Sequence, residues 1–329
     1  MQLFDCTLRD GGNVLGNGFT AELTTMMIQG LVENGIPYIE YGNANGIGAY
    51  EDLNKNKALT DEEYLALAAP WKDKAKLGMF MLASCATQER VEAAAKAGLS
   101  FLRVGANAGD GAKAVEAVKL VKKNGLVCCY SLMKAYVLSP DALADEASML
   151  EEAGVDIITI MDSAGTMMPE DTALYVDRMT QKVNIPVGFH GHNNLGLSVE
   201  NALVAYRHGA EIIDCGLMGM ARSAGNLATE IAMVVFERLG IKTGDIYGML
   251  HFLDEKLVPA MKEHNYQVAV SPLDLAFGLA GCHSSLTATL KEVAAQEKAD
   301  LFKLVVEVSR KDRKSPSRDL IVSTARALA

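Results

Sequence analysis

The feature that most constrains this chain is an alternation repeated along its first 240 or so residues. Short apolar runs at Gln2–Thr7, Tyr38–Tyr41, Lys76–Ala83, Phe101–Val104, Leu126–Met133, Asp156–Met161, Pro186–His190 and Glu211–Cys215 are separated by amphipathic stretches. Those stretches are Ala21–Asn34, Thr87–Ala97, Gly111–Asn124, Pro140–Ala153, Pro169–Val183, Leu195–Gly209 and Asn226–Leu239. The runs are continuously apolar, as in parallel strands covered by helices, and do not alternate in polarity. Gly35, Gly98, Gly125, Gly154, Gly209 and Gly240 follow helical stretches and can supply the left-handed residue that stops a helix. Eight strand-then-helix units at this spacing predict an α/β fold, a (β/α)8 TIM barrel. The alternative is a doubly wound open sheet. It would usually carry a GxGxxG phosphate turn after its first strand, and none stands there.

Beyond the barrel the pattern changes. From about Asp245 to Ala329 no strand is evident; four or five helices are expected, punctuated by Pro259, Pro272 and Pro316. The expected division is a catalytic barrel over residues 1–243 and a small all-α C-terminal cap or partner-docking domain over 244–329. The basic run Arg310-Lys311-Asp312-Arg313-Lys314 is short and reads as a solvated connector. Lys and Arg number 31 against 41 Asp and Glu, a net charge of −10, which disfavours a nucleic-acid partner. No apolar run is long enough for a membrane span, and charges at Asp5, Arg9 and Asp10 interrupt any signal-peptide core. Six cysteines without CxxC spacing, four of them in apolar runs, read as reduced buried thiols of a cytoplasmic protein.

In a barrel of this kind chemistry sits where strands end. The first run leads into Thr7-Leu8-Arg9-Asp10-Gly11-Gly12, which presents two opposite charges on a tight turn. The seventh leads into Phe189-His190-Gly191-His192-Asn193-Asn194. Residues two apart on a strand share a face, so His190 and His192 project together, with Gly191 leaving room between them. Two imidazoles and the Asp10 carboxylate outline a divalent-metal site suited to Mn²⁺, Mg²⁺, Co²⁺ or Zn²⁺.

The segments DCTLRDGG (Asp5–Gly12) and FHGHNNLGLSVENAL (Phe189–Leu203) resemble a superfamily of metal-dependent aldolase and acyl-condensing barrels. It includes 3-hydroxy-3-methylglutaryl-CoA lyases, isopropylmalate and homocitrate synthases, and 4-hydroxy-2-oxovalerate aldolases. DSAGTMMPED (Asp162–Asp171), GLMGMARSAGNLATE (Gly216–Glu230) and the tail from FGLAGCHSSL (Phe277–Leu286) to SRDLIVSTARALA (Ser317–Ala329) resemble the aldolase branch.

The resemblance implies a lyase that cleaves or forms a 4-hydroxy-2-oxo acid through a metal-stabilised pyruvate enolate, with Mn²⁺ the expected ion. Asp10, His190 and His192 match metal ligands, Arg9 the arginine that steadies the enolate oxygen, and Ser163 a substrate-facing position. Asn226 either ligates or supports the metal or caps the eighth helix. The tail implies docking to an acylating aldehyde dehydrogenase, or a homo-oligomer through its helices. Two other functions stay open: a Claisen-type acyl-CoA condensing enzyme or lyase, and a catalytically silent barrel kept as a binding or channelling subunit.

Several positions depart from the aldolase pattern. Asn13 replaces the histidine that serves as catalytic base, and reads either as a turn residue or as a hydrogen-bond donor to a substrate oxygen. Asn43 and Asn45 replace His and Asp, with Asn43 a candidate substrate contact. His283 replaces a substrate-facing tyrosine and is either a surface histidine or a relocated acid/base. Lys134 stands where the family is apolar or neutral, and Arg222 follows an altered Gly-x-Gly. Lys134, Arg222 and Arg9 together would make a cationic mouth for an anionic acceptor.

Overall fold

The structure, a computed structural model, describes residues 1–266, 276–277 and 280–329. Pro272, and Gly278 and Leu279 of the FGLAGCHSSL segment, lie outside the described residues. Eight parallel strands close into a barrel in chain order: β1 Gln2–Asp5, β2 Tyr38–Tyr41, β3 Lys76–Leu82, β4 Phe101–Asn107, β5 Val127–Met133, β6 Ile157–Asp162, β7 Val187–Gly191 and β8 Ile212–Cys215. The seam closes with Gln2 beside Ile212 and Asp5 beside Cys215.

The outer helices are α1 Ala21–Glu33, α2 Asp61–Leu67, α3 Gln88–Lys96, α4 Gly111–Lys123, α5 Pro140–Ala153, α6 Pro169–Lys182, α7 Ser198–Arg207 and α8 Thr229–Glu237. Local chemistry starts several of them. Thr20, Thr87 and Ser139 each accept a backbone N–H in the first turn of the following helix. The six glycines expected as helix stops all take positive φ.

Sequence periodicity missed α2. It spans only seven residues after a polar stretch, so it shows too few turns to display a period. Its signal was the capping box, in which Thr60 accepts from Glu63 N and Glu63 accepts from Thr60 N.

Strand alternation sorts the barrel into two environments. Outward residues such as Leu3, Ile39, Leu102 and Ile213 join the large core beneath the helices. Inward residues Phe4, Cys6, Tyr38, Phe101, Cys129, Ile157 and Ile212 form a separate apolar plug inside the barrel. Gly78 makes room for it, since a Cβ there would lie 2.4 Å from the Phe101 ring. All six cysteines are free and buried.

After β8 and α8, the chain runs through Ile246–Phe252, a π-helical turn Leu253–Leu257 and Val258–Glu263. Met249, Phe252, Leu257 and Met261 of this segment pack into the barrel's outer core. Phe252 lies over Gly30 of α1, where a Cβ would be 2.5 Å from its ring. Helices Thr287–Glu297, Leu301–Lys311 and Arg318–Leu328 share a second core that includes Phe277, Leu290, Leu304, Val308 and Ile321. Among the described residues, no helix is long and apolar enough to cross a membrane.

Candidate active site

Beyond β1 the chain enters a buried turn that fixes Arg9 and Asp10. Asp5 accepts from Thr7 N at 2.9 Å and from Thr229 Oγ at 2.6 Å, while Thr7 Oγ accepts from Leu217 N at 2.6 Å. Burial outweighs these bonds and pushes Asp5 up to about 6. A Cβ on Gly11 would lie 3.0 Å from Met220 Cβ, so the turn packs its backbone against the loop after β8. Arg9 then donates from Nε to Glu40 at 2.6 Å, and its Nη1 lies 3.2 Å from Asp10. Its guanidinium stands 5.1 Å from the centre of the Phe80 ring. Nη2 is buried with no partner.

Across the mouth, His190 at the end of β7 and His192 just beyond it place their imidazole rings 5.2 Å apart. The Nε2 atoms of His190 and His192 lie 3.6 and 3.7 Å from the same Asp10 oxygen, Oδ2. One ligand atom from each of these three residues lies within 4.8 Å of the others. The β6 loop props this segment. Asp162 O accepts from His192 N at 3.2 Å, and the Asp162 carboxylate takes the N–H groups of Thr166 and Met167 at 3.0 and 2.9 Å. Burial nonetheless pushes Asp162 up to about 6. Gly165, at φ +58°, lies so close beneath His192 that a Cβ would be 2.5 Å from its carbonyl oxygen.

The protonation pattern fits a divalent cation. His190 Nδ1 pairs with Asp214 at 2.9 Å, which leaves Nε2 buried, unpartnered and turned to Asp10. Burial holds His192 neutral, its pKa lowered to about 3 although Asp10 pulls the other way. Burial also opposes charge on Asp10, but Arg9 above all, with Arg222, holds its carboxyl well below the usual range. A carboxylate oxygen and imidazole nitrogens are thus available together. Asn226 donates from Nδ2 to Asp10 Oδ2 at 2.9 Å, and its Oδ1 is buried without a partner. Ala228 takes the N-cap of α8, so Asn226 serves the Asp10 cluster and caps no helix.

Beneath the site lies a layer of charges that sequence reasoning missed. Arg103 is fully buried; its Nη2 reaches Asp214 and Thr159, both at 2.7 Å, and its Nη1 lies 3.8 Å from Glu40. Arg9, Glu40, Arg103, Asp214, His190 and Asp10 therefore form a closed ring of polar contacts inside the barrel. Its formal charges are two guanidinium and three carboxylate groups, an excess of one negative charge that a cation offsets. The available signal was a lone charge at an inward position in otherwise apolar strands: YIEY, FLRV and IIDC.

The other candidates separate. Ser163 lines the mouth cavity, of about 130 Å³, and accepts from Lys134 N at 2.9 Å. His283, half-buried, reaches the same cavity from the C-terminal region, with Nδ1 taken up by Ser285 N at 3.1 Å and the Ser285 hydroxyl at 2.9 Å. Burial, reinforced by Arg222, keeps its pKa well below the ordinary histidine value. Asn13 donates to Asp10 O at 2.8 Å and accepts from Arg222 at 3.1 Å.

Asn43 points elsewhere, donating to Asp61 at 2.9 Å and Leu59 O at 3.3 Å; its neighbour Asn45 lines the cavity instead. Lys134, at φ +55°, turns its Nζ to Lys314 O at 2.6 Å, and Lys314 in turn pairs with Asp110 at 3.0 Å. It ties the barrel to the C-terminal helices.

Comparison with known proteins gives a consistent result. A family model described as HMGL-like matches residues 1–252. A protein named 4-hydroxy-2-oxovalerate aldolase from Geobacillus genomosp. 3 is 31% identical, over 100% of this chain and 97% of its own length. Another of that name from Moorella thermoacetica is 33% identical, over 100% and 97%. Among solved structures, the N-terminal domain of a putative aldolase from Bacteroides vulgatus superposes with a TM-score of 0.70 at 20% identity, covering 85% of this chain and 92% of that one. The carboxyl transferase domain of Rhizobium etli pyruvate carboxylase, the Y628A form with pyruvate, superposes with a TM-score of 0.78 at 14% identity, covering 99% and 61%. At those identities the structural likeness concerns the fold.

Proposed function

Because the chain belongs to the HMGL-like family, alongside relatives named 4-hydroxy-2-oxovalerate aldolase, we propose that it is a divalent-metal-dependent pyruvate aldolase that cleaves or forms a 4-hydroxy-2-oxo acid. It is a lyase. The observation that carries the metal-dependent reading is the Asp10–His190–His192 cluster, with the His190 Nε2 left unpartnered in a buried site. A divalent cation held there, Mn²⁺ in our reading, would draw electron density from the keto oxygen of pyruvate and so acidify its C3 protons.

The chain's own residues supply the rest. Arg9, clamped by Glu40 and Asp10, keeps Nη2 free to donate to the oxygen on which enolate charge develops. Asn226 and Asp214 hold Asp10 and His190 in place. Ser163 orients substrate from the β6 end. His283 serves the acceptor side: Ser285 N donates to Nδ1, so the neutral ring keeps its proton on Nε2 and can donate it in a hydrogen bond to the aldehyde oxygen. The barrel of residues 1–243 is the catalytic unit; of the cap assigned to 244–329, the stretch 246–263 packs on the barrel and the region carrying His283 reaches the mouth.

The test is pyruvate C3 proton exchange in D₂O, followed by NMR on chelator-treated protein with Mn²⁺ or Mg²⁺ added back. Exchange that requires the ion supports the reading. Metal-independent exchange, or none with any divalent ion, overturns it, and thiol release from acetyl-CoA with a 2-oxo acid would replace it with the condensing reaction.

A further inference from the structure

Arg222 is a cation of the mouth that forms no salt bridge among the described residues, although the Asp10 carboxylate acts on it. It lines the cavity with Arg9 and Asp10, and among the described residues its one hydrogen bond is from Nη2 to the neutral side chain of Asn13 at 3.1 Å. Among the described residues Asp10 is the carboxylate that acts on it, and the two form no direct bridge. Arg9, by contrast, is clamped by Glu40 at 2.6 Å and Asp10 at 3.2 Å. Two guanidinium groups thus face the cavity against one carboxylate, Asp10.

The two cations differ in their partners. Arg9 stands over Phe80 and beside the Asp10–His190–His192 cluster. Arg222, bound to Asn13, lines the same cavity as His283 and is the charge that most affects that imidazole. Lys134, the third cation expected at the mouth, is spent on Lys314 O. A partly desolvated guanidinium without a carboxylate partner is costly unless a ligand anion completes it.

Resting on the aldolase reading, we propose that Arg222 receives a carboxylate carried by the aldehyde acceptor, so that the enzyme joins pyruvate to a short aldehyde acid. Pyruvate C3 loses a proton and bonds to the aldehyde carbon, and the aldehyde oxygen takes up a proton to become the 4-hydroxyl. The product is a 4-hydroxy-2-oxo dicarboxylate; cleavage is the reverse, and nothing is oxidised or reduced. The cavity, at about 130 Å³, suits a short acceptor. Asn13 becomes a positioning residue that holds Arg222 toward it.

The experiment compares glyoxylate and succinate semialdehyde with acetaldehyde and propanal, each with pyruvate and Mn²⁺, using the full chain and quantifying products by mass spectrometry. The wild type is expected to favour the acid aldehydes. Arg222→Met should lower kcat/KM for glyoxylate about 10²-fold more than for acetaldehyde, the scale of one charge-assisted pair. Arg222→Lys should retain part of the preference, which separates loss of charge from loss of fold.

A wild-type preference for the neutral aldehydes, with pyruvate exchange intact, overturns this proposal alone. So does an equal loss on both aldehyde classes in Arg222→Met, or a rise in the KM for pyruvate matching that for glyoxylate. Absence of metal-dependent exchange in the wild type overturns the aldolase reading and this proposal with it.

Discussion

His190 and Asp214 meet at 2.9 Å through Nδ1 and Oδ2, and this contact decides which imidazole nitrogen faces Asp10. The same carboxylate oxygen lies 2.7 Å from Arg103, so the orientation of a candidate ligand is tied to a fully buried guanidinium on another strand. Asp214→Asn should weaken Mn²⁺ binding about 10–100-fold, read by calorimetric or EPR titration. It should also lower stability by about 3–5 kcal/mol in urea melts, because Arg103 loses its closest charge partner. Unchanged metal affinity would mean that His190 is oriented by the barrel backbone alone.

His192→Ala removes one nitrogen from the cluster and leaves Asp10 with a single imidazole near Oδ2. Metal retained after dialysis, measured by mass spectrometry, should fall from near one ion per chain to a trace, and turnover should vanish with it. Circular dichroism keeps the comparison to folded protein. Stoichiometric metal in this variant would move the ion elsewhere.

Gly165 carries φ +58° directly beneath His192, with no space for a Cβ. Gly165→Ala should cost roughly 1–3 kcal/mol in unfolding free energy, from backbone strain plus the clash. Because it pushes on the His192 carbonyl, metal retention should drop in the same protein. A normal urea midpoint would show that the β6 loop moves aside without loss.

Acid should destabilise the metal-free protein through His192. Its pKa is lowered to about 3 by burial, against 6.5 for the free side chain. Between those values the unfolded chain binds more protons than the folded one, so this contribution is intact above pH 6.5 and lost as pH falls toward 3. Asp5 and Asp162, raised to about 6 by burial, act in the opposite direction, stabilising below the usual carboxyl range and losing that effect as pH rises through 6. Comparison with His192→Ala isolates the histidine. From pH 7.5 to pH 5 the wild type should lose about 2 kcal/mol more than the variant in chelator-treated urea melts. Parallel losses would mean that His192 titrates normally.

Much of the architecture was legible because it is local. Each strand run and each glycine stop is a short-range pattern, and the eight expected runs coincide with the eight strands to within a few residues at their ends. The motif at His190 and His192 was legible for the same reason, since side chains two apart on a strand share a face whatever surrounds them. The helix at Asp61–Leu67 escaped because seven residues are too few to show a period.

What the amino-acid order determined by itself was therefore the barrel and the pairing of two histidines on one strand. What only the tertiary structure decided was which distant charges meet. Closure of the sheet brings Glu40, Arg103 and Asp214 from β2, β4 and β8 under the site. The same packing spends Lys134 on a backbone carbonyl of the tail and leaves Arg222 facing the cavity. A charge on a strand carries no local record of the partner it will find, because that partner is set by the register and closure of strands far apart in the chain.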